Sequence, residues 1–251
     1  MTLLARLALV ALLSLGAVGC NSTGVGNPGN MTVTVRNDLN PEPQATGSTE
    51  QLTNSQVRHV VLAFAKLRFI PCDTTDGDVV IPGPVVVDLV TSNVEPALPS
   101  VPIPPGGFCG LDAPLTTAAR DASMQGRSIL FSGLRSDGTL FILYAAMAGT
   151  IHMRPEPGLI WDESNASSII WALRPLRWLA PAELDAETSD PLGAVLRVVV
   201  IDVDRHPVLY NAIRSRIGAR STLHTDLNRN GVLDPIERTS ALIGEGLPSL
   251  D

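Results

Sequence analysis

The chain has 251 residues, with 18 strong bases against 25 acids and a formal charge of −7. That acidic balance disfavours nucleic acid as a partner and leaves no polybasic contact with an anionic membrane surface. The length fits one domain of good size, or one plus a small appendage, after the N-terminal segments are set aside.

The first twenty residues, MTLLARLALVALLSLGAVGC, open with a charge at Arg6, continue as an apolar run from Leu7 to Leu15 and end in small residues. This is the layout of a secretory signal peptide, assigned to residues 1–19. The run is short of the roughly 20 apolar residues that span a bilayer. AVGC resembles the lipobox of bacterial lipoproteins, with Ala17 where Leu is usual. The resemblance implies cleavage before Cys20 and lipid on its thiol, and so a membrane partner through that anchor. The alternative is an ordinary leader cut after Gly19. Lipidation places the protein in the bacterial cell envelope, and Asn21 leans towards the outer membrane in a Gram-negative cell. Residues 20–30 are rich in Gly, Asn and Ser and read as a flexible tether. The 17 strong bases and 25 acids beyond the leader leave a charge of −8.

Residues 31–36 (MTVTVR) alternate and predict a short strand, and 38–55 predict a loop. Residues 57–72 (VRHVVLAFAKLRFIPC) predict a long strand of period two. Strict alternation puts Val57, His59, Val61, Ala63, Ala65, Leu67 and Phe69 on one face. Val60, Leu62 and Phe64 then share the other face with Arg58, Lys66 and Arg68. Residues 74–90 predict a turn and a strand pair broken by Pro82 and Pro84, which mark an edge or a bulge. A Pro-rich crossing (95–107) leads to FCGLDAPLTT. Residues 127–155 predict a hairpin, with Asp137-Gly138 as a two-residue type I′ turn. Residues 168–181 (SIIWALRPLRWLAP) read equally as strand or short helix. Residues 193–205 predict a strand.

Many short strands separated by Gly, Pro and Asp turns predict a mainly β fold, a β-sandwich over 31–205. The stretch 57–117, with VVVDLV followed by VPIPPGGFCGLDAPL, resembles a prealbumin-like sandwich domain found in bacterial lipoproteins of unknown function. Phe108 stands where that family usually has Tyr. The resemblance implies a fold and no activity. If Cys20 carries lipid, Cys72 and Cys109 remain as an even pair in an oxidising compartment. They form either a disulfide worth about 3–4 kcal/mol or two buried thiols.

From His206 the period changes. Leu209, Ile213 and Ile217 form a stripe, Pro207 suits a first turn and Gly218 a stop, so a helix is predicted. Residues 206–251 are assigned to a small C-terminal helical appendage that carries the sequence's strongest chemical signal. DLNRNGVLDPIE (226–237) resembles an EF-hand or dockerin-type calcium loop. Asp226, Asn228 and Asn230 fill positions 1, 3 and 5, and Gly231 fills 6. Val232 offers its backbone carbonyl at 7, Asp234 acts through water at 9, and Glu237 is the bidentate ligand at 12. Calcium takes six to eight oxygens, and alternate side chains of a tight loop deliver them to one point. Asn at two positions lowers the ligand charge, which predicts a weak site with a dissociation constant around 10⁻⁴ M. ARSTLHT is a poor incoming helix, so a loop with only an exit helix (PIERTSALIG) is expected. The bland alternative is a polar turn that binds nothing.

Other candidates are weaker. The Asp residues of 72–80 fit a hairpin turn better than a second metal site. Trp161, Trp171 and Trp178 fit core packing better than a sugar-stacking platform. The four His lack metal-ligand spacing, and no hydrolase motif is present. The expected protein is a non-enzymatic envelope lipoprotein with structural calcium. A module that binds carbohydrate or an envelope protein is the first alternative, and an exported hydrolase the second.

Overall fold

The computed structural model describes residues 29–38, 52–53, 56–73, 75–117, 124, 126–192, 196–248 and 250. The expected leader, Cys20, the expected tether up to residue 28 and most of the loop expected over 38–55 lie outside the described residues. The fold is mainly β with small helical parts. Its strands are β1 (Asn30–Asn37), β2 (Val57–Pro71), β3 (Val79–Asp88), β4 (Asn93–Glu95), β5 (Val101–Pro102), β6 (Phe108–Pro114), β7 (Ile129–Leu134), β8 (Leu140–Ala145), β9 (Thr150–Pro155), β10 (Ser168–Leu173), β11 (Asp190–Leu192), β12 (Leu196–Ile201), β13 (Ser221–Thr225) and β14 (Leu242–Gly246). The helices are α1 (Pro181–Asp185), α2 (Pro207–Ala219) and α3 (Pro235–Ser240).

The strands join in the order β11-β12-β8-β7-β2-β6-β9-β14-β13-β10-β1-β5, with β3 on the other edge of β2 and β4 beyond it. The sheet curls over its own core. Phe64 of β2 meets Trp171 of β10 with ring centroids 5.3 Å apart, although β10 lies five strands along. Phe131 of β7 likewise meets Trp178 at 5.5 Å.

The turn of the sheet is built into β2. Its first half pairs with β7 and its last residues with β6, with a register shift between Phe64 and Lys66. Such a bulge lets one strand serve two parts of a sheet that differ in direction. It also corrects the strict alternation expected for 57–72. Ala65 and Lys66 are both exposed, and the faces exchange there. Val60, Leu62, Phe64, Leu67 and Phe69 all enter the main core. Val61 and Ala63 instead form a small cluster with Met124 on the opposite side. Opposite the bulge, β3 is one continuous strand rather than the expected pair, and Gly83 and Pro84 fall in the register gap.

The 127–155 hairpin forms with a different turn. Gly138 N–H donates to Arg135 O at 3.1 Å, Arg135 N–H donates to Thr139 O at 2.8 Å, and only Gly138 has a positive φ, +81°. That is a type I turn closed by a glycine bulge, not the two-residue type I′ turn, which needs positive φ at Asp137 as well. The ambiguity of 168–181 resolves into β10, a 3-10 turn (Pro175–Arg177) and α1. All six residues of β10 are buried, so its sequence has no alternation to read.

The C-terminal segment is not an appendage. β13 and β14 lie within the sheet, between β9 and β10. α2 buries Leu209, Ile213 and Ile217 as expected. It runs through Gly218, which is buried beside Gly246, and ends at Ala219. Cys72 and Cys109 form a disulfide with an S–S distance of 2.02 Å, closing 37 residues between β2 and β6.

Candidate functional site

A strand, β13, leads into the loop 226–237, and α3 leaves it. The exit helix is shorter than expected because residues 242–246 join the sheet as β14. Leu233, at position 8, is buried against Ile170 and Ala172 of β10. These two residues point away from the main core, which Ile169, Trp171 and Leu173 enter. Leu233 of the loop therefore covers the outer face of β10, while α3 packs on β13 and β14, and this is why β10 is buried on both sides.

The loop geometry follows from its residue types. Asp226 is 4% exposed, and its carboxylate accepts from three donors. Asn230 N–H reaches Oδ1 at 3.1 Å, Gly231 N–H reaches Oδ2 at 3.0 Å, and Ser168 Oγ–H reaches Oδ2 at 3.1 Å. Gly231 holds φ at +67°, where a side chain is strained. Asn228 Oδ1 accepts from Asn230 N–H at 3.0 Å, and Asn230 Oδ1 from Val232 N–H at 2.6 Å. Glu237 is fully buried. Its Oε1 accepts from Leu227 N–H at 2.7 Å and its Oε2 from Asp234 N–H at 3.0 Å, so it ties both ends of the loop together. Asp234 holds the N-cap position of α3, but its carboxylate turns into the loop. There Oδ2 accepts from Asn228 Nδ2 at 2.7 Å and Asn230 Nδ2 at 3.2 Å.

The donor set is entirely oxygen, which suits a hard cation. In the structure, however, the two Asn amides face Asp234 with their NH2 groups. Coordination requires both amides to turn by half a rotation, which exchanges nitrogen for oxygen. Among the described residues no three of His, Cys, Asp and Glu stand together as a metal-holding group. Asp226, Asp234 and Glu237 are three acids, so in this structure their carboxylates do not converge as such a group.

Residues far away in sequence support the loop. Arg36 of β1 donates through Nε to Gly231 O at 2.6 Å. Asp38, 3% exposed, pairs with Arg238 of α3 at 2.9 Å and with Arg174 at 3.1 Å. His224 lies beneath, with Nδ1 3.1 Å from Glu237 O and Nε2 3.0 Å from Thr222 Oγ1. Burial holds its pKa below the ordinary histidine value. These supports left no local signal in the sequence.

The other candidates separate. Asp73 accepts from Thr75 N–H and its hydroxyl, while Asp78 pairs with Arg68, so the 72–80 carboxylates do not converge. Trp161, Trp171 and Trp178 are all fully buried and offer no stacking platform. His59 Nδ1 lies 3.1 Å from Ser132 Oγ, but Ser132 is buried in the sheet and no carboxylate orients His59 among the described residues. A shallow groove of about 520 Å³ is lined by Thr188, Asp190, Arg205 and His206, and His206 Nδ1 pairs with Glu187 at 2.9 Å. Asp112 of β6 gathers Arg68, His152 and Arg154 from β2 and β9. No helix among the described residues is long and apolar enough to cross a membrane, which says nothing of β-barrels. Comparison with protein-family models, curated proteins and solved structures found no match to this chain.

Proposed function

We propose that the chain is a lipid-anchored protein of the bacterial cell envelope that binds calcium structurally through Asp226, Asn228, Asn230, the Val232 carbonyl, Asp234 and Glu237. The observation that carries this reading is the loop itself. Position 1 and position 12 are its two most buried ligands, joined through the Leu227 amide, and Asp234 faces both Asn side chains. The lipid anchor rests on AVGC at 17–20, and the prealbumin-like resemblance of 57–117 belongs to the same proposal. Calcium draws the three carboxylates together and orders the cover over β10.

A second reading is favoured by the hydrogen bonds. Both Glu237 oxygens and both Asp226 oxygens already hold N–H or O–H donors, so the loop also works as a cation-free fastener. Calcium titration followed by thermal unfolding separates the two. At ten times the dissociation constant, calcium adds about 1.4 kcal/mol, raising the melting temperature by about 3–5 °C for a chain of this size. Glu237→Gln abolishes that response. If calcium leaves the melting temperature unchanged while Glu237→Gln lowers it, the fastener reading stands instead.

A further inference from the structure

We propose that the loop 226–237 is a calcium-dependent clamp on β1, the strand that directly follows the tether. The inference deepens the calcium reading above and rests on it. β1 needs a clamp. Its hydrogen-bonded neighbours are β10, parallel over Thr32–Asn37, and β5, which reaches only Asn30 and Met31. Among the described residues, one edge of β1 thus has no strand paired to it from Thr32 onward.

Two side-chain contacts tie this end of β1 to the C-terminal segment, and both are made by immediate neighbours of proposed ligands. Gly231, between Asn230 and Val232, accepts from Arg36 Nε at 2.6 Å. Arg238, next to Glu237, pairs with Asp38 at 2.9 Å. The direction of the Gly231 carbonyl is set by its positive φ and by the grip of Asp226 on its N–H at 3.0 Å. The placement of Arg238 is set by the first turn of α3, which Glu237 closes through Asp234 N–H. Arg36 also donates through Nη1 to Ser92 O at 3.1 Å, so it bridges the loop to the turn between β3 and β4. Fixing the ligands fixes both handles. Releasing them leaves β1 its backbone pairs, the core packing of Met31, Val33 and Val35, and the contacts of Asn37 with Leu89 and of Asp38 with Arg174, but loosens its tie to the loop. A pull on the N-terminal side would then reach the body through a strand whose hold depends in part on the cation.

The test is amide hydrogen exchange on the full chain, comparing segments 30–37 and 226–237 with and without calcium chloride. At ten times the dissociation constant, calcium should slow exchange about tenfold wherever opening requires release of the cation. The wild type should show this in both segments. Arg36→Ala should keep the slowing in the loop and lose most of it in β1. Arg36→Lys, which keeps the charge but not the planar fork, serves if the alanine variant does not fold. Slowing confined to 226–237 in the wild type, or a β1 response untouched by Arg36 substitution, overturns the clamp and leaves calcium binding intact. No slowing in either segment overturns the calcium reading itself.

Discussion

Asp112 shows how one carboxylate organises a patch of sheet. Arg68, Asp112 and His152 stand in one row across β2, β6 and β9, and Arg154 reaches in from two residues further along β9. Burial alone would raise the Asp112 carboxyl, but the hydrogen bonds from Arg68, His152 and Arg154 outweigh it and hold it below its ordinary 3.8. A carboxyl depressed in the folded state stabilises above its unfolded value, and that stabilisation disappears as pH falls through the folded value. Its arginine partners are 39% and 35% exposed, so the effect is below the ~3–5 kcal/mol of a fully buried pair. Asp112→Asn should cost about 2 kcal/mol at pH 7 by denaturant unfolding. The gap to wild type should close as pH falls below about 3.8.

Elements show where sequence patterns stop being informative. The tight turn of 226–237 was legible because its Asp, Asn and Gly spacing is local. Its supports were not, since Ser168 lies 58 residues from Asp226 and Arg36 lies 195 from Gly231. β10 was ambiguous for a related reason. A strand covered on one side by the core and on the other by a loop has no polar face to betray its period. In β2 the pattern was legible but its phase was not, because the bulge at Ala65 exchanges the faces halfway along. Leu233 is the apolar contact that seats the loop on Ile170 and Ala172. Leu233→Ala should therefore cost about 2–3 kcal/mol, and proteolysis should then cut first within 226–237.

At the scale of the whole molecule, the mainly β class was readable from strand and turn frequency, while the cysteine count left a disulfide and two buried thiols both open. The disulfide ties β2 to β6 on the far side of the bulge. Replacing Cys72 and Cys109 together by Ala should cost about 4 kcal/mol on the chain-entropy model, lowering the melting temperature by about 8–15 °C. The placement of the C-terminal segment was not readable, because its polar loop and helix hid two short strands. Those strands lie between β9 and β10, so everything from β10 to β5 reaches the rest of the sheet through them. A chain that stops before residue 242 lacks β14 and has a gap in the middle of its sheet rather than a trimmed edge. Cutting the chain before residue 242 would therefore open two inner edges, on β9 and β13, and open edges template pairing with another chain.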